Sequence, residues 1–257
     1  MKEKSVKIPI VGGKLNVHGV LRGNYNKPLV ILAPGLGGWM HETLLFNAAR
    51  YLYKQHIASL RVSFYGDDKD QRNINECDVN TAADDLDSIV DYVKTKGASW
   101  VAVIGHSYSG MAVVYSRKQQ FDAAVLWDPS HTDGYSTLEA QFNLEKDFKF
   151  DKELDSYVSA LGSGYVISRK VFENYEPGSV VKSKKFKIPT LIINADYSKE
   201  MKKYGALYAK SIDAPTKQIV IPNSTHPFVE DGAMEQLFEQ TVDWLKPQII
   251  KQSKSRS

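Results

Sequence analysis

The sequence predicts an α/β fold, a mostly parallel central sheet with helices on both faces and one small insertion. Apolar runs of strand length alternate with amphipathic helical segments over residues 29–127, and again from residue 189 to the last helix. Such alternation needs crossover connections, which are right-handed and leave parallel strands covered on both sides. The run Leu29-Val30-Ile31-Leu32-Ala33 is continuously apolar, as a strand buried on both faces should be. After Asp128 the alternation stops for about sixty residues, a length that marks a functional insertion more often than a plain loop.

Element by element, residues 6–10 and 15–21 form a hairpin around Gly12-Gly13, so the chain opens antiparallel. Strand 29–33 ends in the turn Pro34-Gly35-Leu36-Gly37-Gly38, with a helix to follow over 41–54 and a strand over 57–62. A polar loop, 66–80, leads to a helix carrying Ala83, Leu86, Ile89, Val90 and Val93 on one face. Strand 100–104, a helix to about residue 119 and strand 123–127 close the first half. After the insertion come strand 189–193, helix 199–211, strand 217–221 and a last helix with Met234, Leu237, Phe238, Val242 and Leu245 on its apolar face. The expected division is a core of residues 1–128 and 189–250, an insertion over 129–188, and a disordered basic tail over 251–257. Within the insertion, Leu154, Tyr157, Val158 and Leu161 have helical spacing, and Val166, Ile167, Val171, Phe172 and Tyr175 add aromatic weight.

Composition narrows the partners. With 257 residues, 42% hydrophobic and 25% charged, the chain can bury a substantial single core. Its net charge of +3 comes from 33 basic and 30 acidic residues interspersed along the sequence, so no basic stripe is available to follow nucleic acid. The one cysteine, Cys77, has no partner for a disulfide and no metal-ligand spacing around it; it is expected as a free thiol in a loop. Residues 1–11 lack an apolar signal core and no stretch has the length of a membrane span, so the expectation is a cytoplasmic protein without stable membrane insertion. Composition leaves the oligomeric state open.

Chemistry concentrates at strand ends, where open parallel sheets bind ligands. In Trp100-Val101-Ala102-Val103-Ile104-Gly105-His106-Ser107-Tyr108-Ser109-Gly110, a buried strand breaks into a serine and resumes as a helix. A serine on so sharp a turn needs small residues two before and two after, and Gly105 and Ser109 supply them. The turn lifts the Ser107 hydroxyl above the sheet edge and aims the Tyr108 N–H at an oxyanion forming beside it. The glycines at 35, 37 and 38 let a second donor, the Leu36 N–H, approach the same point. Trp39 then stands as a pocket wall. His226, in a polar loop after strand 217–221, has the free pKa of about 6.5 that suits proton transfer in both directions. His18, His41, His56 and His131 show no comparable partner pattern, and His106 is read as packing beside the elbow.

The segment Gly105-His106-Ser107-Tyr108-Ser109 resembles the nucleophile elbow Gly-x-Ser-x-Gly of the α/β-hydrolase superfamily, with Ser109 in place of the last glycine and Gly110 after it. Pro34-Gly35-Leu36-Gly37-Gly38 resembles the family's His-Gly-x-Gly-Gly turn, with Pro34 at the histidine position, and His226 resembles its late catalytic histidine. The family's usual acid position falls here on Ser198, which offers no charge. The acid is then Asp128, placed after strand 123–127 as in lipases and the platelet-activating-factor acetylhydrolase group, or Asp196 from a shifted loop. Pro129 is expected to hold Asp128 extended.

Over residues 7–245 the layout is similar to small-lid bacterial esterases of the feruloyl or cinnamoyl type, which makes 129–188 the lid. The resemblance implies a serine hydrolase that cleaves a small-molecule carboxylic ester through an acyl-enzyme, with no metal and no organic cofactor. A thioesterase or acyltransferase would use the same residues, and Ser198 at the acid position keeps open a non-catalytic binding protein on the same fold.

Overall fold

The computed structural model describes residues 3–10, 12–131, 144–159, 166–173 and 178–255. In chain order the strands are β1 (Lys4–Pro9), β2 (Asn16–Arg22), β3 (Leu29–Ala33), β4 (Ala58–Ser63), β5 (Val101–His106), β6 (Ala123–Trp127), β7 (Phe148–Asp151), β8 (Ser156–Ser159), β9 (Val166–Ser168), β10 (Thr190–Ala195) and β11 (Thr216–Ile221). The helices are α1 (Thr43–Lys54), α2 (Val79–Thr95), α3 (Tyr108–Tyr115), α4 (Leu144–Asp147), α5 (Lys170–Glu173), α6 (Ser179–Ser183), α7 (Lys199–Ser211) and α8 (Ala233–Ser255).

Eight strands form one sheet in the order β1-β2-β4-β3-β5-β6-β10-β11. Its first two pairings, β1 with β2 and β2 with β4, are antiparallel, and all later ones are parallel. Side chains alternate across the sheet, so β3 sends Leu29, Ile31 and Ala33 to one core, and Val30 and Leu32 to the other. The first core is roofed by α2 and α3 through Leu86, Ile89, Val90, Met111 and Val113. The second is roofed by α1 and α8 through Leu45, Ala49, Leu52, Leu237, Phe238 and Val242. Each fully buried aliphatic side chain contributes roughly 1.5–3 kcal/mol, which explains why the central strands are the most apolar segments of the chain.

Two polar devices set the ends of the helices that carry the site. Asp78 caps α2 by accepting the Thr81 N–H at 2.7 Å, while Thr81 Oγ1 accepts the Asp78 N–H at 2.8 Å. Buried Asp87 of α2 then stops α3, accepting Ser116 Oγ at 2.5 Å and the N–H groups of Arg117 and Lys118 at 3.0 and 3.1 Å. The helix behind the elbow is therefore two turns long, and all eight of its residues are buried.

The structure departs from expectation in the insertion and at the C-terminus. Residues 154, 157 and 158 do not share a helix: β7, β8 and β9 form a three-stranded antiparallel sheet, with Tyr157 opposite Phe150 and Ile167. β-branched and aromatic residues at these positions gain more from cross-strand pairing than from a short helix. Leu161 and Tyr175 lie outside the described residues. The residues expected as a solvated tail continue α8 to Ser255, and Gln252 Nε2 donates to Asp122 Oδ1 at 2.9 Å. Among the described residues no helix is long and apolar enough to cross a membrane.

Candidate active site

Ser107 sits between β5 and α3 with φ 52° and ψ −116°, a backbone region that costs a non-glycine residue about 1–3 kcal/mol. The strain is held in place by packing. A Cβ at Gly105 would lie 2.4 Å from the carbonyl oxygen of Ser109, and one at Gly110 would lie 2.6 Å from Cβ of Pro129, so neither glycine can be replaced without moving backbone or proline. The departure at Ser109 has its own function: this fully buried hydroxyl donates to the carbonyl of Pro34, tying the elbow helix to the turn after β3.

On the far side of the sheet centre, His226 Nδ1 meets Asp128 Oδ2 at 2.6 Å. Asp128 is fully buried, and its other oxygen accepts Asn194 Nδ2 at 3.0 Å and the Ala195 N–H at 3.1 Å. Gln218 Nε2 in turn donates to Asn194 Oδ1 at 2.9 Å, which fixes the amide's orientation. A carboxylate oxygen facing Nδ1 selects the His226 tautomer that carries its proton there, leaving Nε2 with its lone pair free to accept one. Asp128 is not extended, as its place before Pro129 had suggested, but has φ 43°; aspartate tolerates that region better than most residues, and its N–H is satisfied by the carbonyl of Ile193 at 2.7 Å. Asp196 does not reach His226. Its Oδ1 accepts Lys202 Nζ at 3.0 Å in a half-exposed ion pair, and Ser198 heads α7.

His106 does more than pack beside the elbow. Its Nε2–H donates to the carbonyl of His226 at 3.1 Å, and the two rings lie 4.8 Å apart, so the residue before Ser107 anchors the loop of His226. Burial, with help from the neighbouring imidazole, pulls the His106 pKa down to about 4, which keeps the ring neutral. Ser224 and Glu230 complete that loop: Ser224 Oγ donates to Ile221 O at 2.7 Å, and Glu230 Oε2 accepts the Thr225 N–H at 3.0 Å. Sequence reading missed Asn194, Gln218 and Glu230; of these only Asn194, a polar residue in an otherwise apolar strand, left a signal.

The turn after β3 lies on the other flank. Gly35 is close enough that a Cβ there would stand 3.5 Å from Ser107 Cβ, which places Leu36 beside the elbow, across from Tyr108 at the head of α3. Gly38 faces the carboxyl of Glu42, 2.6 Å from where a Cβ would be. Burial pushes the Glu42 pKa up to about 7, opposed by the hydrogen bond its carboxyl accepts from Trp39 N–H, and its buried Oε1 has no hydrogen-bond partner among the described residues. The Met40 N–H donates to Ser63 Oγ at 2.9 Å, pinning the turn to β4. Trp39 is 58% exposed, stands edge-on to His41 at 5.1 Å, and lines a 930 Å³ groove with Tyr65, Gln71, Asn75, Leu154 and Val166. A second, pinched apolar cavity of 10 Å³ touches Leu36 and Tyr108 directly.

One other expectation changes. His18 has a partner pattern after all, with Nδ1 3.3 Å from Asp68 and Nε2 3.1 Å from Asp70. Lys7 at 2.8 Å, with His18, holds the Asp70 pKa down to about 2, and the cluster anchors the β4–α2 loop. Cys77 is a free thiol in the loop before α2, as expected, but it is buried there, and burial pushes the thiol well above its usual range, which makes it a poor nucleophile and a poor metal ligand.

No protein-family model and no curated protein matches the chain. Solved structures do. Est1E from Butyrivibrio proteoclasticus, described with ferulic acid bound, superposes with a TM-score of 0.76 at 20% identity over 95% of this chain and 99% of that one. The α/β hydrolase GrgF from Penicillium gives 0.74 at 16% identity, covering 97% and 100%. A dienelactone hydrolase from Anabaena variabilis gives 0.69 at 16% identity, covering 95% and 97%. The sheet order and these superpositions agree: the chain has the α/β-hydrolase fold.

Proposed function

We propose that the protein is a serine hydrolase that cleaves carboxylic esters of small molecules, with Ser107 as nucleophile, His226 as general base and acid, and Asp128 as the residue that orients His226. The observation that carries the reading is the 2.6 Å bond from His226 Nδ1 to the fully buried Asp128, at the same end of the sheet as a serine held at φ 52°. A solvated imidazole paired with a surface carboxylate would need no such burial; an imidazole that must carry a positive charge in a transition state does.

His226 Nε2 takes the Ser107 proton as Oγ attacks the ester carbonyl. The N–H groups of Leu36 and Tyr108 hold the oxyanion, and a preorganised donor of this kind is worth about 10²–10³ in turnover. His226 passes the proton to the departing alcohol, and water then releases the acyl group by the same steps in reverse. Residues 129–188 act as the lid, and Trp39 forms one wall of the substrate groove. Among the described residues no hydrogen bond joins Ser107 Oγ to His226, a separation common before substrate binds.

A fluorophosphonate probe labels the wild-type protein at Ser107 and fails to label Ser107→Ala, and p-nitrophenyl esters of graded acyl length are turned over by the former alone. Labelling that persists in Ser107→Ala, or a wild type inert to both probe and esters, would remove this function.

A further inference from the structure

The hydroxyl of Ser107 has a neighbour that the triad does not use. Ser107 Oγ lies 3.3 Å from Oγ of Ser130, a residue two positions beyond the acid. Ser130 is held from both sides. Its N–H donates to the carbonyl of Ser107 at 3.0 Å, and its own carbonyl accepts the hydroxyl of Tyr208, a fully buried side chain, at 2.8 Å. Pro129 before it is wedged against Gly110, where a Cβ would come within 2.6 Å. A hydroxyl whose backbone is clamped to the elbow itself is preorganised for whatever reacts there.

Its side of the nucleophile identifies what it meets. Strand β5 lies between β3 and β6, so the Leu36 turn flanks Ser107 on one side, while Asp128, His226 and Ser130 flank it on the other. In a tetrahedral adduct on Ser107 the oxyanion points to Leu36 and Tyr108, and the leaving oxygen must point to His226, which protonates it. Two oxygens on one tetrahedral carbon are closer together than a hydrogen bond is long, so a hydroxyl beside Ser107 Oγ on the His226 side is within reach of the leaving oxygen.

We propose that Ser130 is a catalytic hydrogen-bond donor to the leaving-group oxygen, an assignment that rests on the ester-hydrolase reading and adds to it. In acylation a bond forms between Ser107 Oγ and the acyl carbon, and the bond from that carbon to the alkoxy oxygen breaks. The Ser107 proton moves to His226 Nε2 and from there to the alkoxy oxygen, while Ser130 keeps its own proton and stabilises the charge gathering on that oxygen. In deacylation the attacking water occupies the same place. The consequence is a preference for esters of ordinary alcohols, whose alkoxides are poor leaving groups and gain most from a donor.

The test compares kcat/KM for the p-nitrophenyl and ethyl esters of one acid in the full-length wild type, Ser130→Ala, Ser130→Thr and Ser130→Cys. Ser130→Ala and Ser130→Cys lose severalfold on the p-nitrophenyl ester and at least about tenfold more on the ethyl ester, and Ser130→Thr keeps the wild-type ratio. Equal losses on both esters, or no loss on either, would overturn the assignment, because a spacer or packing role does not sense the leaving group. Fluorophosphonate labelling of each variant reports a folded elbow, and the cysteine variant, which preserves shape, decides the question if the alanine variant does not label. An active wild type whose Ser130→Ala and Ser130→Cys variants keep its ester ratio refutes Ser130 alone; a wild type that neither labels nor hydrolyses refutes the enzyme reading together with it.

Discussion

The two flanks of Ser107 are built by different physics. On the β6–β10–β11 flank every functional atom is wired: Asp128 receives Asn194, Ala195 and His226, Asn194 receives Gln218, and His106 ties down the carbonyl of His226. On the β3 flank the turn is held by close backbone packing around its glycines and by two hydroxyls, Ser109 on Pro34 and Ser63 under Met40, beside a buried carboxyl with one oxygen unpaired among the described residues. In the proposed reaction the first flank must stabilise a full charge that appears on an imidazole, and in a medium of low dielectric that takes a fixed network. In that reaction the second flank has only to present backbone donors, for which shape suffices.

The largest effects separate the two aspartates of the wired flank. Asp128→Asn lowers turnover of a p-nitrophenyl ester by about 10⁴, because the wrong tautomer of His226 is then favoured, while Asp196→Asn stays within a few-fold, since a half-exposed ion pair is worth about 1 kcal/mol or less. A large loss in Asp196→Asn would show that the base changes partner in solution. Gly105→Ala follows: a Cβ 2.4 Å from backbone has nowhere to go, so urea unfolding should show a loss of about 3 kcal/mol or more together with failure of probe labelling.

The flanks also respond to pH with opposite signs. Glu42, raised to about 7 by burial, holds its proton more tightly in the folded state, so its contribution is whole below about pH 4.5 and fades as pH rises through 7. His106, lowered to about 4 by burial, contributes above about pH 6.5 and fades as pH falls through 4. The melting temperature of Glu42→Gln relative to wild type therefore climbs between pH 5 and pH 8, by an amount equivalent to about 3 kcal/mol at most. A difference that stays flat over that range would place the Glu42 carboxyl in water. Smallest is Ser109→Ala, about 1 kcal/mol of stability by calorimetry for the lost bond to Pro34, with a larger drop in activity than in stability if that bond also sets the Leu36 donor.

The strands and helices of the eight-stranded core, its parallel sheet and the elbow were legible in the linear pattern, since burial on two faces forces continuous apolar runs and a strained serine forces small neighbours. Ser107 and His226 stood out as candidates because each follows a strand with a chemically capable side chain, Ser107 directly and His226 five residues on. Which aspartate pairs with His226 was not legible, because Asp128 and Asp196 both follow apolar strands and only the packing of β6 against β10 directs one inward, onto Asn194, and leaves the other with Lys202. Nor was the insertion's sheet legible, because spacings of three and four residues fit a helix until cross-strand partners are known. The same limit hid Ser130 and His106. A hydroxyl 3.3 Å from a nucleophile 23 residues away, and a ring bonded to a carbonyl 120 residues away, are contacts between strand ends that sequence order keeps apart and sheet order joins.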